Sequence, residues 1–218
     1  LLTAKSDANH VSHLNTPLIA ATAYGHTSVV TKLLNVNASV DSQSVSTGET
    51  ALYYACSEGY NECVDMLLHA KANPHICNNE GTSPMYTAIV GNHIQCIRFL
   101  LEIGQYYKLI TYSDLYETAI FTACYHGRSD ILALLIDTLF IYESDKTMTL
   151  LNQETTQFHI SPLYIACERG NDKCVDVLIK NKIDVNYKSS ERGETALFPA
   201  CKYKNMSCVK LLCNANVD

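Results

Sequence analysis

Charge, cofactor motifs and long apolar runs are all scarce in this chain. Only 17% of its 218 residues are Asp, Glu, Lys or Arg, against 47% hydrophobic residues. That balance excludes a disordered polyelectrolyte, because there is more apolar surface to bury than charge to hold it apart. A net charge of −6 and a pI of about 5.7 argue against broad electrostatic binding to phosphate backbones. The longest apolar stretch, Ile131 to Tyr142, is interrupted by Asp137 and is too short to span a bilayer. No P-loop, G-x-G-x-x-G or G-x-S-x-G occurs, so the common phosphate cradles and the strained nucleophile turn are missing. The chain opens on Leu1-Leu2 without an initiator methionine, and we expect it to be a fragment of something longer.

What the sequence does contain is periodicity. Ala21, Ala55, Ala88, Ala123, Ala166 and Ala200 recur at intervals of 34, 33, 35, 43 and 34 residues. Twelve residues after each comes a leucine: Leu33, Leu67, Leu100, Leu135, Leu178 and Leu212. A constant interval that needs no gap identifies one supersecondary unit copied six times.

Each copy reads as two short helices. Thr16, Thr50, Ser83, Thr118, Ser161 and Thr195 stand where a hydroxyl can accept from an unpaired N–H of the first turn. Pro17, Pro84 and Pro162 follow, at a position where a helix has no use for the missing N–H. The first helix breaks at Gly25, Gly59, Asn92, Gly127, Gly170 and Lys204. Glycine and asparagine suit a left-handed turn, whereas Lys204 predicts local strain or a different ending. A second apolar helix follows and ends near the leucine pair.

The segments "TPLIAATAYGHTSVVTKLL", "GETALYYACSEGYNECVDMLL" and "SPLYIACERGNDKCVDVLI" resemble ankyrin repeats. The resemblance implies an all-α solenoid of stacked helix-turn-helix units joined by hairpin loops. It implies a single domain over residues 1–218, with a partial repeat at 1–11 and repeats at about 12–44, 45–77, 78–112, 113–155, 156–189 and 190–218. Three departures stand out. The family's histidine after T-P-L is replaced by Ile19, Tyr53, Tyr86, Phe121, Tyr164 and Phe198, so aromatic packing is expected in place of its inter-repeat hydrogen bonds. The segment after Leu101 lacks the usual Ala-Asp-Val-Asn turn. The fourth unit carries about nine extra residues, expected to lengthen its second helix or to protrude as a loop.

Ten cysteines could be metal ligands, disulfides, nucleophiles or filler. Cys56, Cys124, Cys167 and Cys201 alternate with Thr22 and Ile89 in one slot, and Cys63, Cys96, Cys174 and Cys208 alternate with Val29 and Ile131 in another. Residues that exchange with Val, Ile and Thr behave as small hydrophobes. No C-x-x-C spacing suits a metal. Corresponding positions in neighbouring units should lie roughly 10 Å apart, beyond the reach of a disulfide. Cys77 and Cys213 remain as the expected exposed pair, and ten free thiols fit a reducing, intracellular compartment, cytoplasmic or nuclear. His10 and His13 lack further ligands, and His126 in "YHGRSD" reads as a turn residue rather than a base.

Function is therefore expected on the surface that stacked units share, at the hairpin tips and the ends of the first helices. The resemblance implies a partner-binding set of Tyr24, Glu58, Leu115, Tyr125, His126, Phe158, Ile160, Glu168, Arg169, Arg192, Lys202 and Tyr203. The expected activity is capture of a protein partner on a concave face, without catalysis, cofactor, metal, nucleic acid or membrane insertion, by a monomer. A competing reading makes the chain the substrate-positioning segment of a larger enzyme, channel or ubiquitin-ligase adaptor. Phe158 and Tyr125 have a second possible role, packing against the fourth unit's extra residues.

Overall fold

The computed structural model describes residues 7–10, 15–104, 112–142, 144–152, 154 and 159–215. These form helices joined by turns, with Gln43 and Thr50 paired in an isolated antiparallel bridge. Two compact units divide the chain, Leu1–Lys108 and Leu109–Asp218.

In the first unit the helices are α1 (Pro17–Ala23), α2 (Thr27–Asn35), α3 (Ala51–Glu58), α4 (Asn61–His69), α5 (Pro84–Val90) and α6 (Ile94–Gly104). The first helices α1, α3 and α5 pack side by side, and the second helices α2, α4 and α6 form a parallel layer against them. Between the layers lies an apolar core that includes Leu18, Leu52, Leu67, Ile89 and Ile97. The second unit holds α7 (Tyr112–Tyr125), α8 (Ser129–Tyr142), α9 (Ser144–Asn152), α10 (Pro162–Arg169), α11 (Asp172–Lys180), α12 (Leu197–Lys202) and α13 (Met206–Ala215). Here α7, α10 and α12 make one layer and α8, α11 and α13 the other.

Four of the six expected caps form. The hydroxyls of Thr16, Thr50, Ser83 and Ser161 accept from the N–H three residues on, at 3.1–3.3 Å. Each such cap is worth about 1 kcal/mol. The other two expectations are corrected. In the capped helices the cap carbonyl also accepts from the N–H four residues on, as in Tyr54 to Thr50 and Ile165 to Ser161. Pro199 holds that position after Thr195 and has no N–H to give. The helix therefore starts late, with Ala196 as its cap residue and no side-chain cap bond. Thr118 lies inside α7, which begins at Tyr112. Nothing in "TYSDLYE" supplies the glycine or proline that would stop a helix from extending backward.

The fourth unit's extra residues are helical rather than a loop. They lengthen α8 to 14 residues and build α9, which packs on α7, α8 and α10 and buries Thr147 and Leu151.

All six helix breaks adopt the left-handed conformation, Lys204 included, at φ between 59° and 73°. After three of the breaks the next residue reaches back to the preceding repeat of its own unit. Asn171 Nδ2 donates to the carbonyls of Cys124 and Tyr125 at 2.7 and 3.1 Å. Asn205 Nδ2 does the same to Cys167 and Glu168 at 2.8 and 3.1 Å. His93 Nε2 lies 3.0 Å from the Ser57 carbonyl. These are the open carbonyls of a helix C-terminus, which otherwise lack partners. The approach is so close that a Cβ on Gly59 would sit 2.4 Å from His93 Nδ1, and one on Gly170 2.8 Å from Asn205 Oδ1. Glycine is needed twice over at these positions, for φ and for room.

The hairpins carry their own ties. A side-chain acceptor near the end of one repeat takes a backbone N–H from the hairpin of the next: Asn9 from Ser39, Asp41 from Asn73, and Asn152 at the end of α9 from Asp184, at 2.6–2.9 Å. The expectation that aromatic packing replaces the lost histidine network is also corrected. Tyr164 Oη donates to Glu194 Oε2 at 2.9 Å, and Tyr53 Oη lies 3.1 Å from Thr82 Oγ1. Tyrosine hydroxyls thus keep hydrogen bonds between neighbouring repeats.

Opposite effects are expected at two breaks. Gly170→Ala should lose at least the ~1–2 kcal/mol of a left-handed alanine, with more from displacing Asn205. Lys204→Gly should gain about 0.5–1 kcal/mol, the relief of strain less the added freedom of the unfolded chain. Urea unfolding of both variants checks this, and equal stabilities would contradict it.

Candidate functional site

The ends of the first helices and the adjoining hairpins present the side chains singled out from the sequence. In the second unit, the C-terminal turn of α7 exposes Tyr125, and the neighbouring end of α10 lays Arg169 over it. The guanidinium carbon lies 3.8 Å from the Tyr125 ring centroid, a cation–π stack. His126 meets the same ring edge-on at 4.9 Å, and Phe121 lies 6.3 Å away. Burial, then the charge of Arg128, holds the His126 imidazole below its ordinary pKa. The stack is held from beneath, because Asn171 clamps the Tyr125 carbonyl.

One repeat further on, Lys202 and Tyr203 occupy the equivalent end of α12, with Lys202 Nζ 5.2 Å above the Tyr203 ring. Tyr203 is 50% exposed. Glu168 is half-buried, whereas Arg169, Lys202 and Arg192 are exposed. Arg192 stands beside the Tyr164–Glu194 hydrogen bond at the last hairpin. This surface couples flat aromatic rings to cationic groups whose donor edges face solvent.

In the first unit, Tyr24 is 75% exposed at the end of α1, and Glu58 is exposed at the end of α3. Both line an open groove of about 1020 Å³ together with Tyr54 and Asn15. Sequence reasoning passed over Tyr54, although its place next to Tyr53 on a first helix marked it as able to reach the same side.

Ile160 is buried at 8% exposure and belongs to the packing beneath the hairpin. Leu115 has its backbone in α7, but its side chain lies outside the described residues, as does the whole of Phe158. Among the described residues no group of three His, Cys, Asp or Glu gathers as a metal site. No helix described is long and apolar enough to cross a membrane.

All ten thiols are unbridged, and seven are buried. Cys201 is a correction: it shares its slot with Cys56, Cys124 and Cys167 but is exposed alongside Cys77 and Cys213. In the other three units the next repeat covers that slot, and no described repeat follows α13. The thiols that meet are not corresponding ones. Cys167 on α10 hydrogen-bonds with Cys208 on α13, and that bond together with burial pushes Cys167 up. Burial pushes Cys96 up to about 11, and burial, then the charge of Asp172 and the neighbouring Cys208, pushes Cys174 up to about 11. Burial also raises Cys56 and Cys124 well above the ordinary thiol value, each with a smaller push from a neighbouring thiol.

Comparison with known proteins matches this geometry. Profiles described as ankyrin repeats in three copies and in many copies match residues 1–76 and 138–218, and 52–101, respectively. The chain belongs to the ankyrin repeat family, whose domains are in general protein-interaction modules. It is 28% identical over 185 residues to human ankyrin repeat and SOCS box protein 16, covering 85% of this chain and 30% of that protein. It is 30% identical over 207 residues to ankyrin repeat and KH domain-containing protein mask-1 of Caenorhabditis elegans, covering 94% of this chain and 7% of that one. The chain therefore spans a minor part of either relative. Among solved structures, the human ASB11 ankyrin repeat domain aligns with a TM-score of 0.72 at 22% identity, covering 94% of this chain and 85% of that one. The ankyrin repeat domain of Bcl-3 aligns at 0.74 and 21%, covering 94% and 87%.

Alkylation should separate the thiols. Thiolate is the reactive form, so iodoacetamide at pH 8 should rapidly label Cys77, Cys201 and Cys213 in the native protein and leave the other seven until unfolding. Rapid native labelling of Cys56 or Cys124 would contradict the burial described.

Proposed function

We propose that the chain captures a protein partner on the concave surface formed by its first-helix ends and hairpin tips, and catalyses nothing. The observation that carries this reading is the Arg169–Tyr125 stack at 3.8 Å. Stacking fixes a long, flexible cation in one orientation before any partner arrives, which reduces the ordering cost of binding. Aromatic rings and arginine are also the residues that most often anchor interfaces. In the second unit His126, Glu168, Arg192, Lys202 and Tyr203 belong to the surface, together with Leu115 and Phe158 on the sequence argument, and in the first unit Tyr24 and Glu58 stand at the corresponding helix ends. The protein acts as a monomer in a reducing compartment, and touches neither nucleic acid nor membrane interior.

A second reading is supported by the small share of its relatives that this chain spans. In it, the same surface positions a substrate for a larger enzyme, channel or ubiquitin-ligase adaptor. Relatives with such names include the E3 ubiquitin-protein ligase XBAT33 and the potassium channel AKT2/3 of Arabidopsis thaliana. The two readings share one docking surface and differ in what lies elsewhere.

Quantitative capture from lysate should yield a partner that Tyr125→Ala and Arg169→Ala each lose by about thirtyfold in affinity, the usual cost of removing an interface anchor. Lys173→Ala, exposed on α11 in the second-helix layer, should leave the partner bound. Unchanged binding with a lowered melting temperature for Tyr125→Ala would move that residue from the docking surface to the packing of its own unit.

A further inference from the structure

The groove of the first unit has a chemical character opposite to that of the Arg169 surface. Its volume is about 1020 Å³, and it lies between α1, α3 and the segment just before α1. Tyr24 and Tyr54 supply two aromatic rings, and Asp7 and Glu58 supply two carboxylates. Neither lysine nor arginine is among the described residues that line it. Among the described residues His10 is the remaining titratable neighbour, exposed to solvent.

One atom in this groove lacks what a buried polar atom needs. Asn15 Oδ1 is out of contact with solvent and accepts no hydrogen bond. Buried acceptors are nearly always paired, and an unpaired one calls for a donor. Asp7 keeps one oxygen on the Asn9 N–H at 2.9 Å, which leaves its second oxygen available. Glu58 makes no ion pair among the described residues. Burial, then a hydrogen bond to Glu49, raises the Tyr54 pKa. Through its described residues the groove thus offers acceptors and π-faces, with no lysine or arginine beside them.

We infer that this groove receives an arginine side chain from an extended segment of the protein partner. The inference rests on the docking surface proposed above and names what its first-unit end recognises. A guanidinium is planar, carries five N–H donors and stacks on aromatic faces while its edge meets carboxylates. It can lie against Tyr24 or Tyr54 and pair with Glu58 or Asp7 in one pose. A lysine ammonium is a compact, strongly hydrated point charge and cannot address separated acceptors in this way. The volume exceeds that of one side chain and sits at the upper end of ligand-pocket sizes, so neighbouring residues of the same segment also fit.

The test is an NMR titration of the 218-residue chain with N-acetyl-arginine amide, run beside the lysine and citrulline analogues. Citrulline keeps the shape and removes the charge. The arginine probe should produce saturable shifts in the Asn15 side-chain amide and in the backbone amides of Tyr24 and Glu58. The citrulline probe should bind about tenfold more weakly, and so should the arginine probe to Glu58→Gln or Tyr24→Ala. Both replacements are at exposed positions and keep the fold available for measurement. Equal response to arginine and citrulline, shifts confined to other surfaces, or no saturable shift would each overturn the inference. Lysine binding as tightly as arginine would overturn the choice of guanidinium. Loss of the probe with retention of a partner sensitive to Tyr125→Ala and Arg169→Ala would sink this inference alone. Loss of partner binding with a working arginine site would sink the docking surface instead.

Discussion

Within each compact unit, neighbouring repeats are tied through the turn that ends a first helix. A residue in the left-handed conformation stops the helix and leaves its last carbonyls open. The residue after the corresponding break in the next repeat fills them, as Asn171 and Asn205 do with paired bonds and His93 with a single contact. One local device therefore satisfies the helix terminus, fixes the register between repeats and sets where the next second helix begins. It also explains the missing Cβ at Gly59, Gly127 and Gly170, since the reaching side chain occupies the space.

The same device positions residues of the proposed docking surface. Tyr125, Glu168 and Arg169 belong to the turns whose carbonyls are clamped, so their side chains project from backbone that a neighbouring repeat holds still. Arg169 can then stack on Tyr125 across two repeats within one unit. Lys202 and Tyr203 stand on the equivalent turn of α12, for which no clamping repeat is described, and Lys204 holds its left-handed break without the help of glycine.

Much of this was legible in the sequence because it is periodic. The alanine and leucine spacing identified six repeats, and the cap and break residues located most helix ends. Exchange of cysteine with Val, Ile and Thr foretold burial of seven thiols. The misses are places where one residue changes a local rule. Pro199 removes an N–H that the Thr195 cap would have used, and no glycine or proline stops α7 from running back through Thr118. Cys201 is exposed because its slot is covered only by a following repeat. Contacts between non-corresponding positions, such as Cys167 with Cys208 or Asn171 with the α7 carbonyls, cannot be read from a repeat alignment. The groove beside Asn15 escaped notice for the same reason, since it joins residues from three separate segments.

The central claim is that side chains reaching back across the break hold neighbouring repeats together. Hydrogen exchange of Asn205→Ala tests it most directly. The account predicts that amides of residues 197–215 exchange markedly faster while those of 162–180 keep their protection, because the last repeat is uncoupled from its neighbour. Protection that is unchanged throughout, or lost equally in both segments, would contradict it.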